Sequence, residues 1–197
     1  SLDDFSKRYI EPAVKVLVSG IESDYLAFAT KATYNVAGTA GTAITSLVAP
    51  GAARAKLNQG LAPKDNMRAI QMDSVTMGGL VNGVAAYFNP SNAISDQYRE
   101  GLVARTAMAD YYENERVWTL TNSNDVTGTT DAAAQVTDGG STIDMGDTIT
   151  NAAVGSVFTV AGVYACHPET TAAYPHLQQP VVTANSSGLC TVSPSPI

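Results

Sequence analysis

No lysine or arginine follows Arg116. All eleven basic residues lie between Lys7 and Arg116, where twelve acids leave a net charge of −1. Residues 117–197 carry Asp125, Asp131, Asp138, Asp144, Asp147 and Glu169 without one base, a net −6. A surface of one sign cannot neutralise itself: it stays solvated, meets a basic partner or repels an anion. Residue types change at the same place, from helix formers to Thr, Val, Gly and Asn. Both changes predict a domain boundary near residues 116–122.

Over all 197 residues the charge is −7, which disfavours wrapping DNA, since phosphates attract Lys and Arg. Charged residues are 15%, below the roughly 25% of an average soluble domain. Much of the surface is therefore Ser, Thr, Asn, Gly and Ala, or is covered by something else. At 45% hydrophobic residues, a buried core is expected and simple disorder is not. No run approaches the roughly 20 apolar residues that cross a bilayer. Two cysteines make no disulfide scaffold. The start at Ser1-Leu2-Asp3-Asp4 is acidic, without Met and unlike a secretory signal. That start and the abrupt end at Ser195-Pro196-Ile197 suggest a fragment or a trimmed chain.

The first part reads as helical. Val14, Leu17, Ile21, Tyr25, Phe28 and Ala32 recur at spacings of three and four, one stripe of a helix over 13–34. Leu2, Phe5 and Tyr9 extend it backwards across Pro12, which bends the axis unless the helix restarts there. Such a helix is either an ordinary core helix or a long exposed spine. Residues 35–47 read as a flexible connector; Gly38-Thr39-Ala40-Gly41 lacks the Gly-Lys-Ser/Thr of a phosphate loop. Pro50 and Gly60 bracket an Ala-rich helix, and Pro63 stops it. Residues 67–72 predict a strand with Ile70 and Met72 inward. Asp73 or Ser74 caps a further helix with the stripe Met77, Leu80, Val81, Val84 and Phe88, ending at Asn89-Pro90. Gly78, Gly79 and Gly83 within it signal either close backbone approach or a weak helix.

After Trp118 short apolar runs alternate with turn signals. The runs are 117–120, 157–160, 163–166, 180–184 and 189–192, and 157–160 is a candidate hairpin partner of 163–166. Asn122–Gly128, Asp138-Gly139-Gly140 and Asn185–Gly188 read as turns. The spacing predicts a compact antiparallel barrel or sandwich.

Residues able to do chemistry are few. His167 and His176, with Cys166 and Cys190, supply nitrogen and sulfur donors of the kinds that bind zinc, but match no usual ligand spacing. Otherwise the cysteines are small buried hydrophobes and the histidines sit in a loop. Asp138, Asp144 and Asp147 with Gly139, Gly140 and Gly146 lack the ordered pattern of a calcium loop and read as a solvated acidic loop. Asn185-Ser186-Ser187 matches a glycosylation sequon by chance. Tyr111, Tyr112 and Trp118 are expected to pack the domain interface rather than stack bases.

The order of these segments is more telling. A long opening helix leads through a Gly/Thr connector to Ala52-Ala53-Arg54-Ala55-Lys56-Leu57 and Ala62-Pro63-Lys64-Asp65-Asn66-Met67-Arg68-Ala69-Ile70. A Gly-rich helix follows, ending in Phe88-Asn89-Pro90. Gln97-Tyr98-Arg99-Glu100-Gly101 and the step from Tyr112 to Leu120-Thr121 then lead into a Thr-rich β insertion. This arrangement resembles the major capsid proteins of tailed double-stranded-DNA bacteriophages, specifically podovirus coat proteins with an inserted β domain. The run from Ala62 to Thr121 carries most of the likeness.

The resemblance implies an α+β chain of the Hong Kong-type capsid fold. Residues 1–47 would be the spine helix and connector, 48–116 the axial α/β part, and 117–197 an inserted β-barrel-like domain. It implies a structural virion protein of a phage or prophage, assembled in the bacterial cytoplasm, with no catalytic, cofactor-binding or metal residue. Its partners would be copies of itself and the phage's scaffolding and portal proteins, with no sequence-specific nucleic acid and no membrane. Asp125, Asp131 and Asp138 would meet basic groups of a neighbouring subunit. The family's N-terminal arm, extended loop and C-terminal return are not among these residues, so a central piece is expected, unable to close a shell alone. The rivals are a Thr/Ala/Gly-rich cell-surface or adhesive β module and, third, a metal-dependent enzyme built on His167 and His176.

Overall fold

The computed structural model describes residues 2–65, 67–85, 109–121, 128–130, 136–146 and 152–196. The chain is mixed α+β. It opens with helix α1 (Leu2–Phe5), one π-helical turn (Ser6–Ile10) and helix α2 (Glu11–Ala32). Helix α3 (Val48–Gln59), strand β1 (Ala69–Met72), helix α4 (Ser74–Val84) and strand β2 (Asp110–Glu113) follow. Five more strands close the chain: β3 (Thr142–Asp144), β4 (Tyr164–Cys166), β5 (Ala173–Leu177), β6 (Val181–Ser186) and β7 (Leu189–Ser193).

The opening rod does not break at Pro12, which stands in the first turn of α2, where its missing N–H costs least. The preceding turn is wound wider, and the Glu11 N–H bonds the Ser6 carbonyl five residues back. From Leu2 to Ala32 the rod is about 45 Å long. Helix α3 follows the predicted asymmetry, with Pro50 in its first turn and Gly60 as its C-cap.

The first core forms where α4 packs on β1 and β2. Those strands pair in parallel, with Ile70 opposite Tyr111 and Met72 opposite Glu113. Met72, Met77, Leu80, Val84 and Tyr111 are buried there, and Ile44, Leu47, Ile70 and Val81 pack around them. Full burial of Leu80 alone contributes about 1.5–3 kcal/mol. Asp73 caps α4 by accepting the Thr76 N–H at 3.2 Å, and hydrogen bonds from the Thr76 hydroxyl and N–H hold its carboxyl below the usual range. The glycines of α4 mark close approach: a Cβ on Gly83 would overlap the Thr45 carbonyl, while one on Gly78 would meet nothing. The 35–47 connector is thus pressed on α4 at its far end. Phe88 and the Asn89-Pro90 stop lie outside the described residues.

The second core lies in the antiparallel sheet β3-β7-β6. Ile143, Met145, Val182, Cys190 and Val192 are buried together. The runs expected at 180–184 and 189–192 are strands β6 and β7, which pair as a hairpin turning on Ser187 (φ 52°) and Gly188 (φ 99°). Both residues are left-handed, as a two-residue hairpin turn requires. Strands β4 and β5 form a separate antiparallel pair with a bulge.

Three expectations are corrected. Residues 157–160 do not pair with 163–166; Val157 makes only an isolated bridge to Val181, and Tyr164–Cys166 pairs with β5. Residues 117–120 are not a strand, because Trp118 packs under Lys31 instead. The described strands β3 to β7 form an open three-stranded sheet and a two-stranded pair, not a closed ring. The Asn122–Gly128 turn lies mostly outside the described residues.

Candidate assembly surface

Helix α2 is fixed to the body by its polar side. Ser19, Glu22, Ser23, Leu26, Ala27, Ala29 and Thr30 are its half-buried residues, gathered on one side of the helix. Arg116 Nε donates to Ser19 Oγ at 2.7 Å, and Arg116 Nη1 meets Glu22 Oε2 at 2.9 Å. Asn114 Nδ2 donates to Glu22 Oε1 at 2.7 Å. Further along, the Lys31 ammonium lies 4.9 Å from the centre of the Trp118 ring, a cation–π contact. The Gly155 backbone comes so near that a Cβ there would stand 3.0 Å from Lys31 Cα.

The apolar stripe therefore points away from the protein. Val14, Leu17, Ile21, Tyr25 and Phe28 are all exposed, and no residue of α2 is buried. Residues 7–18 are exposed on every side. Of the two readings of this helix, the exposed spine is the observed one. Its outward row is a contiguous apolar patch of the kind that marks an interaction surface. No helix among the described residues is long and apolar enough to cross a membrane.

Two side chains tie the β part to the first part elsewhere. Lys56 Nζ donates to the Val36 carbonyl at 2.5 Å and to Gln179 Oε1. Tyr174 OH donates to the Gln59 carbonyl at 3.4 Å. Between the connector and α3, residues from Val36 to Ala52 line an open, mainly apolar groove. Gly38 and Gly41 turn the backbone there at positive φ.

The residues singled out for chemistry scatter. His167 and His176 both flank Tyr174 on the β4–β5 pair, with ring centres 6.2 and 5.4 Å from it. His176 lies in strand β5, not in a loop. His167 Nδ1 accepts the N–H groups of Glu169 (3.2 Å) and Thr170 (3.3 Å), so it caps a turn. Cys166 is half-buried beside them, whereas Cys190 is fully buried in the other sheet. Burial, with Asp144 nearby, pushes the Cys190 thiol pKa up. Among the described residues no three His, Cys, Asp or Glu side chains converge as a metal site would need.

Asp144 lies in strand β3, not in a loop, and Asp138 sits on an exposed turn. Asp125, Asp131 and Asp147 lie outside the described residues. Asn185 uses its amide within the β6–β7 hairpin, donating to the Ala152 carbonyl and accepting the Gly188 N–H. Of the three aromatics expected at the boundary, Tyr111 packs in the first core, Trp118 packs on α2 and Tyr112 is exposed. Periodicity had no means of finding the polar latch of Ser19, Glu22, Asn114 and Arg116. Its one signal was that Glu22 falls off the stripe.

No protein-family description matches this chain, and no characterised protein matches its sequence.

Proposed function

We propose that this chain is a shell-forming subunit of the tailed-phage coat type, in which rigid surfaces rather than a reaction centre do the work. The reading assigns α1 and α2 to the spine and α3, β1, α4 and β2 to the axial lobe of a Hong Kong-type capsid fold. Strands β3 to β7 would belong to the inserted β domain. The observation that supports it is the rod: a helix of 22 residues latched by its polar side, presenting its apolar row outward. A monomer gains nothing from that arrangement, whereas a symmetric assembly buries the row against copies of itself. The basic-free stretch suits this role as a surface that meets basic groups of neighbouring subunits. The full coat would sit in the virion, with scaffolding and portal proteins as further partners.

The test is mass spectrometry of density-purified particles from cultures of the encoding organism. Peptides of this chain as a dominant particle component are expected. Their absence from particles, or their enrichment in the cell envelope, would sink the proposal; the second outcome would favour an adhesive module.

A further inference from the structure

We infer that two copies of this chain pair through the outward stripe of α2, antiparallel, about a two-fold axis near Leu17. This deepens the proposed shell role and shares its premise that the stripe is an interface between copies.

Area carries the first step. Phe5, Tyr9, Tyr25 and Phe28 stand 57%, 64%, 67% and 70% exposed. At roughly 200 Å² per aromatic side chain they present roughly 500 Å² of apolar surface. Val14, Leu17 and Ile21 raise that to roughly 800 Å² per copy, the share each partner contributes to a standard stable interface. A two-fold contact is self-complementary, so one stripe suffices for both sides.

Support selects the direction. Antiparallel pairing about Leu17 sets Tyr9 against Tyr25 of the other copy. Parallel pairing would instead set Lys7 and Arg8 against their own counterparts. Antiparallel pairing also lays each unsupported segment, residues 7–18, across the half that the other copy holds against its body. A membrane surface fits less well. An interfacial helix keeps its polar face free along its length, whereas here that face is spent on Asn114 and Arg116 from Ser19 onward.

The experiment is sedimentation equilibrium of the full chain and of a Leu17→Glu/Ile21→Glu variant. Both positions are exposed in the single chain, so circular dichroism should match the wild type. Met67→Glu/Val75→Glu, at two equally exposed apolar residues off the rod, is the control. The wild type and the control are expected at twice 20.5 kDa. The stripe variant is expected as a monomer, with self-association weakened at least about 100-fold. A wild-type monomer at the highest soluble concentration overturns the pairing, as does a stripe variant that still dimerises. So does a monomer that cosediments with phosphatidylcholine–phosphatidylglycerol vesicles, which would mark a membrane helix. Dimers of a chain missing from purified particles leave the pairing standing and sink the shell reading. A higher oligomer that the stripe variant leaves intact sinks the pairing alone.

Discussion

The Arg116 guanidinium lies 2.9 Å from the Glu22 carboxylate and joins the last basic residue of the chain to the middle of α2. The contact spans 94 positions in sequence. Arg116 Nε also donates to Ser19, so one side chain holds two successive turns of α2.

Replacing Arg116 with Ala should loosen that helix without unfolding the protein. The pair is 45% and 38% exposed, so water and salt screen it, and a loss of roughly 0.5–1 kcal/mol is expected. Urea unfolding measures the loss. Hydrogen exchange should show faster opening near Ser19 and Glu22, with the α4 amides unchanged. Equal acceleration in α4 would show that the latch serves the core rather than the rod.

Gly83 and Gly78 make a paired test on one helix. Alanine at an exposed helical position ordinarily gains about 0.5–1 kcal/mol over glycine. Gly78→Ala should gain it, since nothing stands where the Cβ would go. Gly83→Ala should lose more than it gains, by roughly 1–3 kcal/mol, because the methyl group would displace the Thr45 backbone. Melting temperatures moving in opposite directions are the expected result. The same sign for both would mean that the connector does not press on α4.

Cys190 gives the protein an alkaline limit. Its folded pKa is raised, so the folded state keeps the thiol proton to higher pH than the unfolded chain does. Stability from this group is complete below the ordinary thiol range and is lost as pH rises through the folded value. Burial shifts the Tyr111 phenol in the same direction, at a higher pH. Urea midpoints measured from neutral to alkaline pH should fall, and Cys190→Ala should flatten the first part of the fall. In native buffer Ellman's reagent should titrate one thiol, Cys166, and in denaturant two. Fast native modification of both would contradict the buried position of Cys190.

How far the sequence could be read depended on element length and on punctuation. Helices α2 and α3 have a long stripe or a proline and glycine at their ends, and their bounds fall close to expectation; α4 starts at its expected cap, Asp73. Strand β1 and the runs that form β6 and β7 were legible from their punctuation, though the pairing of those two runs was not. Strand β3 is three residues long, too short to show alternation. Strand β5 contains Pro175, which reads as a breaker although an edge position tolerates it. Strand β2 pairs in parallel with a strand some forty residues earlier, a partnership that no local pattern encodes. The stripe of α2 was plain, but which side faces the body was not. Periodicity sorts residues onto faces, and only the partners at Ser19 and Glu22 decide which face docks.

Because α2 is held from Ser19 onward, the rest of the rod is a cantilever about 25 Å long. A 10° swing at its root carries the tip about 4 Å. In the proposed shell role, one rigid piece would meet neighbours at slightly different angles, a freedom that a container of varying curvature requires of its tiles.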